Sequence, residues 1–342
     1  MKTIPVVILN WNGLNDTIAC VDSVLNQSYQ HLKVYVVDNA SGNNEFEALT
    51  QRYAGLAQVE LLRNTENMGF GPAHNRVFKQ LIEQGFGNVA LLNNDAVADT
   101  NWLSAALEAM KQQYADIVAC KMLQFSDRNL LDSAGLTMLN TGEILPRGHG
   151  KASNIHPHRE EVMGFCAGAC LIKLSVIDEI GGFDPFFDTG YEDAELSLRA
   201  FVNGKTIIYE PQSVVYHKMG QSLVKVKTYK RTLKIMRDIN YTALVNLPLT
   251  VLLINMPFYL LRNLFILLIF LFTLRVRYIL YFFHSLALTI FIDLKYILKS
   301  RRKVQHKISV LKMLKAQQFF IKYDAARFYR YILKRTPHKF EQ

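Results

Sequence analysis

The chain reads as an α/β protein, a mainly parallel sheet with flanking helices, followed by a basic, apolar helical region. Two observations predict this. Short β-branched runs alternate with amphipathic stretches over the first hundred residues, the pattern of strands joined by crossover helices. The balance of charge then reverses near residue 220.

In order along the chain, Pro5–Leu9 is a β-branched strand and Asn12–Asn26 an amphipathic helix. Lys33–Val37 is a second strand that stops on Asp38-Asn39, and Glu45–Tyr53 is a second helix. Val59–Leu62, Gly71–Gln84 and Val89–Leu92 continue as strand, helix and strand. Such units close with right-handed crossovers. Past residue 100, Ala115–Met122 and Gly164–Ile172 read as buried strands, separated by a loop-rich excursion over 126–160 that contains Gly142, Gly148 and Gly150. Glu195 and Arg199 pair at i,i+4 within a helix that follows the turn Gly181-Gly182-Phe183-Asp184. Val214–His217 is a strand that ends on its histidine.

Polar residues follow three of the first four strands directly: Asn10-Trp11-Asn12, Asp38-Asn39 and Asn93-Asn94-Asp95. In a parallel sheet these lie on one rim, the rim where ligands of open α/β sheets collect. Each group has a plain alternative. Asn and Asp start turns by bonding their own backbone, so Asn93-Asn94-Asp95 is a turn or a ligand site. Glu192 and Asp193 fall in a first helical turn, where the helix dipole favours carboxylates without any chemistry, or one of them faces the cleft as a base. His217 is structural, or completes with Asp95 a mixed O/N metal site of the kind Mn²⁺ accepts. Asn67-Met68-Gly69-Phe70-Gly71 opens a helix whose free backbone N–H groups suit phosphate. It follows the third strand and lacks the full dinucleotide fingerprint, which disfavours a dehydrogenase. His149, His156 and His158 suggest a metal site, but their irregular spacing and polar surroundings favour a solvated loop. Cys20, Cys120, Cys166 and Cys170 form no metal-type doublets and fit a reduced compartment.

The net charge of +10 conceals a division: residues 218–342 carry 24 Lys/Arg against 4 Asp/Glu, whereas residues 1–217 carry 15 against 25. Basic residues interleaved with apolar runs favour an anionic membrane over nucleic acid. The uncharged runs are Ile239–Leu261, Asn263–Leu274 and Tyr278–Ile292, and only the first approaches the ~20 residues of a spanning helix. Asn246, Pro248, Asn255 and Pro257 are expected to break it. These helices are therefore expected to lie in the interface, peripheral or monotopic, with one spanning helix as the alternative. The apolar run after Met1 is too short for a signal peptide, so the first half is expected in the cytoplasm.

Together the motifs resemble the family 2 glycosyltransferases of GT-A fold, in particular the rhamnosyltransferase-like branch. The likeness rests on the opening Val-Val-Ile-Leu-Asn-Trp-Asn, Val37-Asp38-Asn39-Ala40-Ser41, Asn67-Met68-Gly69-Phe70 and Leu92-Asn93-Asn94-Asp95. Gly181-Gly182-Phe183-Asp184, Glu192-Asp193 and His217-x-x-Gly220-x-Ser222 extend it over roughly residues 4–222. The resemblance implies a catalytic domain over 1–222 and a helical membrane-associated region over 223–342. It implies an inverting transfer of a sugar, with rhamnose the guess, from a nucleotide-diphosphate sugar to a saccharide or lipid-linked saccharide in cell-surface polysaccharide synthesis at the bacterial inner membrane. Asp193, beside Glu192, is the implied general base. Asn10, Asn12, Asp38, Asn67, Asn93 and Asn94 are implied to hold the nucleotide sugar, and Asp95 with His217 a divalent Mn²⁺ or Mg²⁺. Asn93 departs from the family's Asp-x-Asp pattern at its first position, so the metal assignment rests on Asp95. The alternative is a catalytically silent saccharide-lipid binding or scaffold protein that keeps the fold.

Overall fold

A computed structural model describes residues 2–188, 190–218, 228–272 and 276–328. Gly220 and Ser222 of the last motif lie outside them. The chain divides into two compact units, one of Met1–Leu136, Pro146–Phe201 and Lys205–Met219, the other of Thr137–Leu145, Val202–Gly204 and Gly220–Gln342.

The first unit realises the strand and helix alternation: β1 (Ile4–Asn10), α1 (Leu14–Leu25), β2 (Leu32–Asp38), α2 (Glu45–Arg52), β3 (Val59–Arg63), α3 (Phe70–Glu83) and β4 (Asn88–Leu92). Then follow β5 (Ala96–Ala98), α4 (Trp102–Gln112), β6 (Ile117–Gln124) and β7 (Leu131–Ser133); β8 (Leu136–Leu139) and β9 (Ile144–Pro146), which belong mostly to the second unit, come next in the chain, before β10 (Glu160–Glu161). The unit closes with β11 (Ala169–Lys173), α5 (Leu174–Ile180), α6 (Glu192–Val202) and β12 (Ile207–His217). The main sheet runs β10-β12-β6-β11-β4-β1-β2-β3. β4, β1, β2 and β3 are mutually parallel, so their polar ends do share one rim. β11 runs antiparallel between β4 and β6, and β12 is parallel to β6. Val6, Val7 and Ile8 are wholly buried, as strands covered by helices on both faces must be.

Two expectations change here. The excursion over 126–160 is not only loop: β7 pairs with β6, and β10 with β12. Strands of two or three residues are too short to show a period in the sequence. The buried stretch from Gly164 is strand only from Ala169, because residues 164–168 turn to meet α6. Ser197 Oγ accepts from Phe165 N at 2.9 Å and donates to Phe165 O at 3.0 Å.

The second unit contains α7 (Thr228–Asn246), α8 (Leu249–Phe272) and α9 (Val276–Leu288), which runs through a π turn at Thr289–Asp293 into α10 (Leu294–Arg301). After α11 (Val310–Lys315), β13 (Gln317–Gln318) pairs with β8, and α12 (Phe320–Phe328) follows. The expected break at Pro257 does not occur, since α8 is continuous over 24 residues with Pro257 inside it. Proline removes one backbone bond of the helix, and the buried face of α8, through Val251 and Asn255, holds the rest in place. Two helices, Leu249–Phe272 and Ile279–Arg301, are long and apolar enough to cross a membrane, where the uncharged runs showed one. Asp293, Lys295 and Lys299 cut the second run short in sequence without ending its helix.

Gly164 sets how closely α6 approaches the chain at Leu136: a Cβ there would meet Ser197 Cβ at 2.6 Å and Leu136 Cβ at 3.2 Å. Gly164→Ala should therefore lower stability by about 1–3 kcal/mol through overpacking, read as a lower urea midpoint at unchanged slope; a wild-type midpoint would show that α6 is not pinned there.

Candidate active site

The rim at the ends of β1, β2 and β4 is built around Asn10. Its side chain is fully buried and its Nδ2 donates to Asp38 Oδ1 at 2.9 Å, Ser41 Oγ at 3.1 Å and Glu45 Oε2 at 3.1 Å. Thr17 Oγ1 donates to Asn10 Oδ1 at 2.7 Å and accepts from Asn94 Nδ2 at 3.0 Å. One hydrogen-bonded chain thus joins three strand ends to α1 and α2. Asp38 is fully buried as well, its second oxygen accepting from Ser41 N at 3.1 Å. Asn10 and Asp38, expected against base and ribose, are the hub of this network rather than side chains open to a ligand. Glu45, which also accepts from Gly13 N at 3.0 Å, was not singled out from sequence because it reads as a helix-start carboxylate. Of the residues expected to hold the nucleotide sugar, Asn12 and Asn67 are open to solvent, with Asn93 and Asn94 half-buried.

The glycine loop is also differently used. Met68 N donates to Asn39 Oδ1 at 3.1 Å and Gly69 N to Asn67 Oδ1 at 2.9 Å, so these two N–H groups, expected to be free for phosphate, already have partners. Asn39 Nδ2 in turn donates to Asn67 Oδ1 at 2.8 Å, which ties Asn67 to the end of β2. Three non-glycine residues with positive φ lie beside the rim motifs: Asn12 (51°), Ala40 (59°) and Tyr191 (77°). Alanine and tyrosine rarely adopt such angles, and strain of this kind concentrates at functional sites.

At the end of β4 the structure brings Asp95 and His217 together. His217 Nε2–H donates to Asp95 Oδ1 at 3.1 Å, and Nδ1–H to Asp132 Oδ2 at 2.7 Å. His149 Nδ1 bonds the Asp132 carbonyl at 2.9 Å and lies 3.2 Å from its Oδ1. His149 is therefore a partner of this cluster and not simply a solvated loop residue. Asp132, on β7, had no sequence signal, since a single Asp in an irregular excursion resembles any other. Burial works against the charged imidazole, but the hydrogen bonds and charges of Asp132 and Asp95 prevail and raise His217 to about 10. Burial likewise opposes ionisation of Asp132, and the two histidines outweigh it, holding the carboxyl well below the usual range. Lys218, the next residue, pairs with Asp16 of α1 and places its Nζ 5.2 Å over the Phe125 ring.

Asp193 lies in the first turn of α6, next to its buried first residue Glu192. Its Oδ2 accepts from Ala167 N at 3.2 Å and its Oδ1 from Ala194 N at 2.8 Å. Burial raises its pKa against these bonds, which favour the ionised form. The 166–168 segment links it to the other cluster: Gly168 O accepts from Asn93 N at 2.9 Å, and the Cys166 thiol, pushed up by burial, feels both Asp193 and Asp132. The turn over 181–184 serves this arrangement too. Arg199, on α6, donates to the carbonyls of Ile180 and Gly182, and Asn75 both donates to and accepts from the Phe183 backbone.

The donor set for a cation is limited. Among the described residues no group of three or more His, Cys, Asp and Glu is arranged to hold a metal ion. Asp95 and His217 form an oxygen and nitrogen pair whose 3.1 Å spacing suits two adjacent ligands about 2.1 Å from one ion. Asp132 fixes the Nδ1 tautomer that leaves Nε2 for the metal, the usual support behind a ligating histidine. The pair fits a divalent ion whose remaining positions come from a bound diphosphate.

The fold is that of a GT-A glycosyltransferase. Solved structures with the same architecture include S. aureus TarS 1-349 in complex with UDP-GlcNAc, with a TM-score of 0.53 and 17% identity over 73% of this chain and 68% of that one. GalNAc-T7 with UDP, GalNAc and Mn²⁺ gives a TM-score of 0.56 at 14% identity, over 72% of this chain and 48% of that one. The chain belongs to glycosyl transferase family 2, whose model matches residues 6–181, just over half of its 342 residues. Among curated relatives it is similar to the O-antigen biosynthesis protein RfbC of Myxococcus xanthus, 30% identical over 59% of this chain but only 16% of that protein. The N-acetylglucosaminyl-diphospho-decaprenol L-rhamnosyltransferase of Mycobacterium tuberculosis is 26% identical over 56% of this chain and 68% of its own length.

The charge on His217 is open to direct test. Its folded pKa stands above the ordinary 6.5, so its pairing stabilises the metal-free protein fully below pH ~6.5 and is lost as pH rises through about 10. NMR titration of the His217 ring should show it protonated well into the alkaline range, and Asp132→Asn should lower its pKa by more than about one unit. A ring titrating near 6.5 in the parent chain would contradict the cluster.

Proposed function

We propose that this protein is an inverting glycosyltransferase that moves a sugar from a nucleotide-diphosphate donor to a saccharide or lipid-linked saccharide during cell-surface polysaccharide synthesis. The observation that carries this reading is the short path from Asp193, through Ala167 and Gly168, to Asn93 and the Asp95–His217 pair. It supports one carboxylate for the acceptor hydroxyl and one cation-ready pair for the departing diphosphate, the two ends of a single displacement at an anomeric carbon.

In this mechanism Asn12 and Asn67 meet the nucleotide on the open side of the rim, while Asn10 and Asp38 hold the loops that carry them. Asn93 and Asn94 face the donor sugar and ribose. Asp95 and His217 hold Mn²⁺ or Mg²⁺, which when bound stabilises negative charge developing on the leaving diphosphate. Asp193 accepts the proton of the acceptor hydroxyl at its carboxylate. Burial makes it a stronger base than an exposed aspartate, while the N–H groups of Ala167 and Ala194 keep it oriented. One base on the face opposite the leaving group gives inversion. The transferred sugar is taken to be rhamnose, by the similarity to the mycobacterial rhamnosyltransferase. The basic helical unit docks on the anionic cytoplasmic face of the inner membrane, where a lipid-linked acceptor resides.

In a screen of nucleotide sugars that measures released nucleotide diphosphate, Asp193→Asn should lower kcat by about 10²-fold or more while calorimetric donor affinity stays within a few-fold. Equal loss of donor binding would remove Asp193 from the role of base. EDTA should stop transfer and Mn²⁺ or Mg²⁺ should restore it; turnover unchanged in chelator would end the metal assignment.

A further inference from the structure

α8 is amphipathic in the inverted sense. Its buried face carries Val251, Asn255, Tyr259 and Arg262, and Tyr259 Oη donates to Asn240 Oδ1 of α7 at 3.1 Å. From Leu253 to Phe272 every exposed residue is apolar, among them Met256, Leu260, Leu264 and Leu268. The α9–α10 helix is similar in part: Ser285, Thr289 and Asp293 face inward, while Leu280, Phe283, Ile290 and Phe291 are exposed, with His284, Lys295 and Lys299 exposed among them. A helical unit with polar groups inside and apolar groups outside is stable where the outside is lipid. The unit's exposed cations, including Lys295, Lys299, Arg302 and Lys303, add attraction to anionic headgroups.

The depth of these helices is constrained by their charged partners. Arg262 lies near the middle of α8, and its Nη2 donates to Glu143 Oε2 at 2.5 Å and its Nε to Asp324 Oδ2 at 2.7 Å. Glu143 sits in the turn between β8 and β9, and Asp324 belongs to α12, just after the β13 strand that pairs with β8. Were α8 to cross a bilayer, its midpoint would carry these carboxylates and the open edges of the three-stranded β13-β8-β9 sheet into hydrocarbon, where unsatisfied backbone is not tolerated. The second helix is tied in the same way. Near its middle, Asp293 takes a bidentate pair from Arg237 of α7, a helix with no span-like stretch among the described residues.

We propose that α8 and the α9–α10 helix form a monotopic hairpin that lies in the plane of an anionic phospholipid monolayer and does not cross it. The exposed apolar faces enter the acyl region, and the Arg262–Glu143–Asp324 and Arg237–Asp293 pairs stay on the protein side. This rests on the membrane docking proposed above and adds its geometry.

The full chain carrying a nitroxide at Leu253→Cys, Leu260→Cys, Leu264→Cys or Phe272→Cys, all on the exposed face, is added to preformed phosphatidylcholine vesicles containing phosphatidylglycerol. The native cysteines are buried or half-buried, and the unsubstituted chain gives their labelling background. Power-saturation EPR should place all four labels at one shallow depth, and flotation should fall in vesicles without phosphatidylglycerol. Labels deepest at Leu260 and Leu264, with Phe272 protected from an impermeant reductant outside the vesicle, would overturn the in-plane hairpin while leaving docking intact. A chain that stays in the aqueous phase, or labels that couple to one another as in a second copy packed on this face, would overturn docking itself.

Discussion

In the metal-free protein the site depends on one imidazolium held between two carboxylates. His217 ends β12, and its contact with Asp95 spans 122 residues of chain. It reaches Asp95 because β12 lies parallel to β6 and antiparallel to β5, the strand that begins one residue after Asp95. A charged ring this deeply placed is tolerable only while both carboxylates face it, and removing one partner would leave an uncompensated buried charge. Asp132 is in turn kept ionised by His149 as well as by His217. The four side chains act as one unit, and three of them come from segments with no common periodicity.

That explains what the sequence could and could not disclose. Parallel strand ends were legible because β1, β2 and β4 each carry an apolar run that stops on an amide or a carboxylate, and a two-fold or 3.6-fold period survives in any window of sufficient length. Asp132 and His149 were not legible, because β7 is three residues long and is defined by pairing with β6, not by its own pattern, and His149 lies in a turn. Asn10 was legible as important but not in its role. Its burial, with an amide bonded to Asp38, Ser41, Glu45 and Thr17, exists only once α1 and α2 are packed. Arg199 reads as half of an i,i+4 pair, which it is at 2.7 Å, yet it also holds the carbonyls at the end of α5.

The second unit misled for a related reason. Hydropathy along the sequence treats Arg262, Asp293 and Pro257 as interruptions, whereas a helix is interrupted only where its backbone bonds or packing fail, as at Pro248 between α7 and α8. Arg262 is neutralised across 119 residues by Glu143, and Asp293 across 56 by Arg237. These pairs convert what looked like breaks into the polar seam along which the helices pack. The reversal of charge near residue 220 has the same logic, an acidic unit around a ligand rim and a basic unit with apolar faces turned outward.

The excursion after β6 contributes to both sets of pairings. Within the segment from Leu131 to Pro146, Asp132 orients His217, and Glu143 clamps Arg262. Both acids belong to the stretch whose sequence reads as loop, and each satisfies a buried cation from a distant part of the chain. Short strands are well suited to this, because they place a carboxylate through two or three ladder bonds and leave the next residues free to turn toward another partner. The long strands and helices therefore set the rim and the apolar faces, while the irregular segment decides which charges are kept and where.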